Sequence, residues 1–199
     1  NDKSESGYEN SVFGAGVGLS YEKFKDIYFA PGLSLTYDDL TTDSTASTLL
    51  KNQSGSATDL MFDYSLSSDK RDRRFMPTDG YLTSFFQEFP VYADQPYLKN
   101  SFSSNHYKEI SEDVVGALKF KVTSINGIND EDVRISQRLT LSSKNLRGFE
   151  SGKIGPKDGK DYIGGNYATS LNLEANFPNF FPEKSNADIG LFFDAGNLW

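Results

Sequence analysis

Apolar and polar residues alternate along most of this chain with a period of two. From Phe13, the positions Phe13, Ala15, Val17, Leu19 and Tyr21 are apolar, while Gly14, Gly16, Gly18, Ser20 and Glu22 between them are small or polar. A second stretch sets Ile27, Phe29, Leu33, Leu35 and Tyr37 against Tyr28, Ala30, Gly32, Ser34 and Thr36. A third sets Leu60, Phe62, Tyr64 and Leu66 against Asp59, Met61, Asp63 and Ser65. Two weaker stretches run from Tyr81 to Phe89 and from Phe102 to Ile110. A sixth sets Val114, Leu118, Phe120 and Val122 against Lys119, Lys121 and Thr123. The cleanest, from Asn166 to Phe177, has Tyr167, Thr169, Leu171, Leu173, Ala175 and Phe177 on one side. Its other side carries Asn166, Ala168, Ser170, Asn172, Glu174 and Asn176. The eighth sets Ala187, Ile189, Leu191, Phe193 and Ala195 against Asp188, Gly190, Phe192, Asp194 and Gly196. Period two places successive side chains on opposite faces of a strand. The pattern therefore predicts eight antiparallel strands, each with one apolar and one polar face.

These strands run to about 10 residues, the length a tilted strand needs to cross a bilayer. A soluble sandwich also alternates, but these polar faces carry Asn, Asp, Lys and Glu, which a dry core does not accept. A membrane barrel is apolar outside and polar inside. Connection lengths point the same way. Those at 23–26, 69–80, 111–113 and 178–186 read as short, and those at 38–58, 90–101 and 126–165 as long. In an antiparallel meander, odd and even connections lie on opposite sides, and outer-membrane barrels sort short turns from long external loops in this way. Aromatics such as Tyr21, Tyr28, Tyr37, Phe89, Tyr92, Phe177 and Phe180 sit near strand ends, as in interfacial girdles. The expected fold is all-β, an antiparallel up-and-down transmembrane β-barrel, present here as an open, curved sheet of about eight strands.

Composition narrows the chemistry. Hydrophobic residues are 37% and aromatics 14%, with 16 Phe, 11 Tyr and one Trp. The chain carries aromatic mass on a scarce aliphatic background, as expected when half of each strand faces water. The net charge of −8 speaks against a nucleic-acid partner, which requires a basic face. With no Cys and a single His, His106, the sequence offers no thiol nucleophile, no cysteine-rich metal site and a poor basis for a serine-type triad. No catalytic residues, metal or cofactor are expected. Gly155 to Lys160 is one residue short of a phosphate loop. Asn129 to Asp132 lacks the glycine and distal glutamate of a calcium loop. The polar start at Asn1 and the stop at Trp199 read as those of a fragment.

The 126–165 connection, about 40 residues, is long for a loop without secondary structure. It contains Leu146-Arg147-Gly148-Phe149-Glu150, then Ile154-Gly155-Pro156, and leads through Gly164-Gly165-Asn166 into the seventh strand. Ser170-Leu171-Asn172-Leu173-Glu174 and Phe192-Phe193-Asp194-Ala195-Gly196 follow. Upstream lies Asp72-Arg73-Arg74-Phe75-Met76-Pro77-Thr78-Asp79-Gly80. In this order the motifs resemble those of the BamA-type outer-membrane protein assembly superfamily, which includes the TamA type and two-partner secretion translocators.

The resemblance implies that residues 1–199 are roughly the sixth to thirteenth strands of a sixteen-stranded barrel, with periplasmic POTRA repeats upstream. It implies that 126–165 is an external loop folded into the lumen. It implies a function: folding and inserting other β-barrel proteins into the outer membrane without nucleotide hydrolysis. The partners implied are the bilayer, client outer-membrane proteins, and periplasmic and lipoprotein accessory subunits. A translocator of the same superfamily and a passive porin are the alternatives. Site residues follow from motif and face together. Glu174 and Asp194 stand on polar strand faces, so both are expected to point into the lumen toward Arg147, whose guanidinium can fork onto two carboxylates. Gly148 is expected to supply a turn conformation closed to other residues, and Phe149 to pack on the lumen wall. Ile154, Gly155 and Pro156 form the second loop motif, and Pro77, Thr78, Asp79 and Gly80 the turn motif.

Overall fold

Eight long strands follow one another as a meander, each paired antiparallel with its neighbours. The computed structural model describes residues 2–3, 8–129, 131–178, 180–181 and 188–199. Asp130, Ala187 and most of the 178–186 connection, all used in the sequence reading, lie outside the described residues. The elements are β1 (Asp2–Lys3), β2 (Tyr8–Gly18), β3 (Tyr21–Phe24), β4 (Ile27–Thr42), α1 (Thr48–Asn52), β5 (Gly55–Asp69), β6 (Gly80–Ala93), β7 (Tyr97–Ser111), β8 (Val114–Gly127), β9 (Lys157–Asp158), β10 (Asp161–Tyr162), β11 (Tyr167–Phe177) and β12 (Ile189–Leu198). The main sheet runs β1-β2-β4-β5-β6-β7-β8-β11-β12, with β3 also on β4, and β9 with β10 forms a small hairpin inside the long loop.

Register carries the alternation across the whole sheet. Phe85 pairs with Phe102 and Phe102 with Val122, which in turn pairs with Thr169. Ser84, Ser103, Lys121 and Ser170 form the adjacent row on the opposite face. The apolar face stands open: Phe13 is 76% exposed, Val17 70%, Leu191 65% and Phe193 60%. A continuous apolar face of this size has no place in water. The polar face is the covered one. Residues of the long loop (Val133, Leu139, Leu141, Leu146) pack on it against Met61, Tyr97, Ile125, Ala168 and Leu198. A second small core joins Leu40, Ala46 and Leu50 to Ile135 of the loop. The arrangement is inside-out, with apolar side chains outward and polar side chains plus a loop inward.

Two sequence expectations change. The strands are longer than their alternating stretches, because pairing continues past the apolar band, as from Asp38 to Thr42, where the loop covers the inner face. The 90–101 connection is not long: β6 and β7 extend to leave only 94–96 between them. The cause is a bulge. Leu60 pairs with Tyr92 and Met61 with Pro90, leaving Val91 extra. One extra residue breaks the period-two reading while the strand continues, and Pro is tolerated at such a point. Loop sorting by length therefore rests on 43–54 and 128–166.

The β5–β6 turn holds the Pro77-Thr78-Asp79-Gly80 motif. The Asp72 carboxylate accepts the Thr78 N–H (3.0 Å), the Thr78 hydroxyl (2.9 Å) and the Asp79 N–H (3.2 Å). Gly80 has φ +93, and a Cβ there would lie 2.0 Å from the Lys70 carbonyl oxygen, so only glycine fits. Arg71 forks onto Asp69 at 2.8 Å and so braces the turn from its β5 side. Partial desolvation pushes Asp72 up, but the Asp79 and Thr78 hydrogen bonds outweigh it and hold its pKa at about 2, below the ordinary 3.8. A depressed carboxylate stabilises the turn above its ordinary pKa and loses that contribution as pH falls through its folded value. Amide exchange at Thr78 and Asp79 is expected to accelerate as pH drops from 4 toward 2, relative to intrinsic rates. Unchanged protection over that range contradicts the assignment.

Candidate functional site

The site forms where the long loop meets β11 and β12. Asn172 and Asp194 are register partners, as are Glu174 and Phe192. All four share the inner face, one row apart. Lys119 of β8 stands beside Asn172 on the same face. The loop approaches this surface through Leu146, whose side chain occupies the space above Gly196: a Cβ on Gly196 would sit 2.9 Å from Leu146 Cδ1. Arg147 follows directly.

Arg147 meets Asp194 three times. Its backbone N–H donates to Oδ2 at 2.9 Å, Nε–H to Oδ2 at 2.8 Å and Nη2–H to Oδ1 at 2.6 Å. Nη1 lies 3.0 Å from Glu174 Oε1. The guanidinium lies over the Phe192 ring, 3.9 Å from its centroid. Asn172 Nδ2–H donates to Asp194 Oδ1 at 2.7 Å and to the Asn145 carbonyl at 2.8 Å, and Lys119 Nζ donates to Glu174 Oε2 at 2.7 Å. Charge-assisted, two-pronged contacts of this kind fix orientation as well as strength. The Asp194 side chain is 4% exposed and that of Arg147 31%, so the anion is sequestered and the cation closes over it from the loop side.

The structure thus brings Arg147, Glu174 and Asp194 together. Gly148 has φ +86, in the left-handed region that favours glycine. Phe149 departs from expectation: it is 58% exposed and does not pack on the wall. Leu146 takes that place, because the turn at Gly148 directs the chain away after Arg147. Ile154 packs against the main core. Gly155 has φ +103, and a Cβ there would meet Leu198 Cδ2 at 2.7 Å. Gly155→Ala is expected to destabilise loop docking by about 1–3 kcal/mol through backbone strain and contact with Leu198. Limited proteolysis of the loop measures this; an unchanged cleavage rate refutes it.

Sequence reasoning missed Asn172 and Phe192, although Phe192 is an aromatic on a polar strand face, which is the signal that marks it. It also missed a second anchor. Arg134 of the loop reaches β4 and β5: Nε–H donates to Asp38 Oδ2 at 3.1 Å, and Nη2–H donates to the Gly55 carbonyl. The Ser136 hydroxyl also donates to Asp38. The side chains of Arg134 and Asp38 are only 4% and 1% exposed. Gln53 grips the same segment, accepting the Ile135 N–H at 2.7 Å. The loop is therefore tied at two places across the sheet, Arg134 to β4–β5 and Arg147 to β11–β12. Gly14, Gly16 and Gly18 do not receive it. A Cβ on any of the three would meet β4 first, at 3.3–3.4 Å from its carbonyl oxygens.

A curved antiparallel wall, apolar outward and polar inward, with a loop ion-paired to its inner face, is a segment of a transmembrane β-barrel. The chain belongs to the Omp85 superfamily, whose domain matches residues 1–199. It is 26% identical over 203 residues to the outer membrane protein assembly factor BamA of Neorickettsia risticii (strain Illinois), covering 100% of this chain and 27% of that protein. It is 28% identical over 163 residues to sorting and assembly machinery component 50 homolog A of Xenopus laevis, covering 77% of this chain and 35% of that one. In fold it matches the crystal structure of BamA from Haemophilus ducreyi lacking POTRA domains 1–3. That match has a TM-score of 0.86 at 22% identity and covers 100% of this chain and 43% of that one. The chain thus spans less than half of each of these relatives. It is part of an integral outer-membrane β-barrel.

Proposed function

We propose that the intact protein folds and inserts β-barrel proteins into the outer membrane without nucleotide hydrolysis. In this reading residues 1–199 form about strands six to thirteen of a sixteen-stranded barrel, and 126–165 is an external loop held in the lumen. The observation that carries the reading is the Arg147 fork onto Asp194, braced by Glu174. A barrel that only passes solutes has no need of a loop fastened by a residue that also sits in an assembly-factor motif. The chemistry asked of this segment is mechanical: the tied loop holds the inner wall in one shape while client strands form elsewhere. Partners follow from the same reading, namely the bilayer, unfolded clients, and periplasmic and lipoprotein subunits that deliver them.

The test uses the full-length protein in liposomes with an unfolded client barrel and no nucleotide. The client is expected to become membrane-embedded and protease-resistant faster than in protein-free liposomes. Equal rates refute the assembly reading, and client recovered inside the vesicles replaces it with translocation.

A further inference from the structure

Between its two anchors the loop spans a half-open chamber of about 670 Å³ on the inner face of β6, β7, β8 and β11. Four lysines line it: Lys99 on β7, Lys119 and Lys121 on β8, and Lys144 on the loop above. Among the described residues no aspartate or glutamate does. In a chain of net charge −8 this concentration of one sign is against the trend.

Only Lys119 is compensated, by Glu174 at 2.7 Å. Among the described residues no carboxylate pairs with Lys99, Lys121 or Lys144. Glu88 is the register partner of Lys99, but its carboxylate accepts the Tyr97 hydroxyl at 2.9 Å instead. Lys121 sits in register between Ser103 on one side and Ser170 on the other, so hydroxyl donors flank the cation on both sides. Three like charges around one space repel one another until an anion enters it. Ammonium groups act as point charges and take phosphate or carboxylate oxygens alike.

We propose that this chamber binds a small, water-soluble, multivalent oxyanion, bridging Lys144 of the loop to Lys99 and Lys121 of the wall. The ligand is soluble and not a lipid headgroup, because the chamber opens on the face opposite the apolar, lipid-facing one. Bridging roof to wall, the anion also strengthens docking of the loop. The proposal stands on the chamber and the docked loop, and is independent of the assembly reading.

The experiment is calorimetric titration of the full-length protein in detergent with inorganic pyrophosphate, and in parallel with citrate. Saturable binding at one site per chain is expected, weakened by added salt. Lys99→Gln, Lys121→Gln and Lys144→Gln combined are expected to raise the Kd by about tenfold or more, the scale of one charge-assisted hydrogen bond lost or greater. Lys25→Gln, away from the chamber, leaves it unchanged. Arg147→Glu, by releasing the roof, weakens binding as well. If the triple variant fails to fold, Lys144→Gln alone on the exposed loop carries the test, with a smaller rise in Kd. Absence of saturable binding, or binding equal in wild type and lysine variants, overturns the proposal. Neutralisation of the lysines by the rest of the barrel would produce the first of these results.

Discussion

Arg147→Glu in the full-length protein is expected to cripple assembly: cells depending on that variant stop growing, and client insertion in liposomes falls to the protein-free rate. The substitution removes the fork onto Asp194 and the contact with Glu174, and places a third carboxylate beside two that are already sequestered. Removing one partner of a buried pair costs about 3–5 kcal/mol, because the remaining charge is left without its counter-ion. A loss of about 4 kcal/mol shifts the docked-to-undocked ratio roughly a thousandfold. Asp194 suffers most, being 4% exposed with both oxygens committed to Arg147. Arg147→Lys is expected to fall in between, since a point charge cannot reproduce the fork. Normal growth on Arg147→Glu refutes the role assigned to the pair.

Asp38→Asn is the second large effect. It removes the ion-pair partner of the Arg134 guanidinium, whose side chain is 4% exposed, and leaves the Gly55 carbonyl as its hydrogen-bond partner among the described contacts, with the Asp59 and Asp94 carboxylates farther off. Destabilisation of the loop's 133–139 segment by about 3–5 kcal/mol is expected, measured by hydrogen exchange of its amides. The pair is not an optimised source of stability, since Asp38 Oδ1 is buried without a hydrogen-bond partner. Replacing both residues by apolar ones, Asp38→Leu with Arg134→Met, is therefore expected to recover most of the loss. A cost below about 1 kcal/mol for Asp38→Asn, the scale of an exposed pair, contradicts burial of this anchor.

The difference between these two anchors shows what was legible beforehand. Arg147 stands in a short motif, and Glu174 and Asp194 alternate with apolar residues on clean strands, so face and partner could be read together. Asp38 lies beyond the apolar band of β4, where alternation no longer reports on burial, and it is 96 residues from Arg134. Nothing local in Val133-Arg134-Ile135 signals that contact; it exists only once the loop crosses the sheet. All eight strands were visible in the period-two pattern, because a lipid-facing side enforces that pattern. Their ends were not, because beyond the lipid-facing band nothing enforces such a pattern, and at Val91 a bulge hid the continuation of β6. Phe149 failed for a geometric reason: the positive φ of Gly148 turns the chain away from the wall just before it.

The central claim is that the loop is held on β11–β12 by Arg147 in the working protein. These 199 residues contain no cysteine, so a thiol introduced among them can be followed on the peptide that carries it. Leu146 is 4% exposed where the docked loop packs on the wall, which makes Leu146→Cys the reporter to introduce. In the full-length protein, maleimide labelling of position 146 is expected to be slow in the otherwise wild-type background and to become fast when Arg147→Glu is added. Labelling equally slow with Arg147→Glu, or already fast in the wild-type background, contradicts the account.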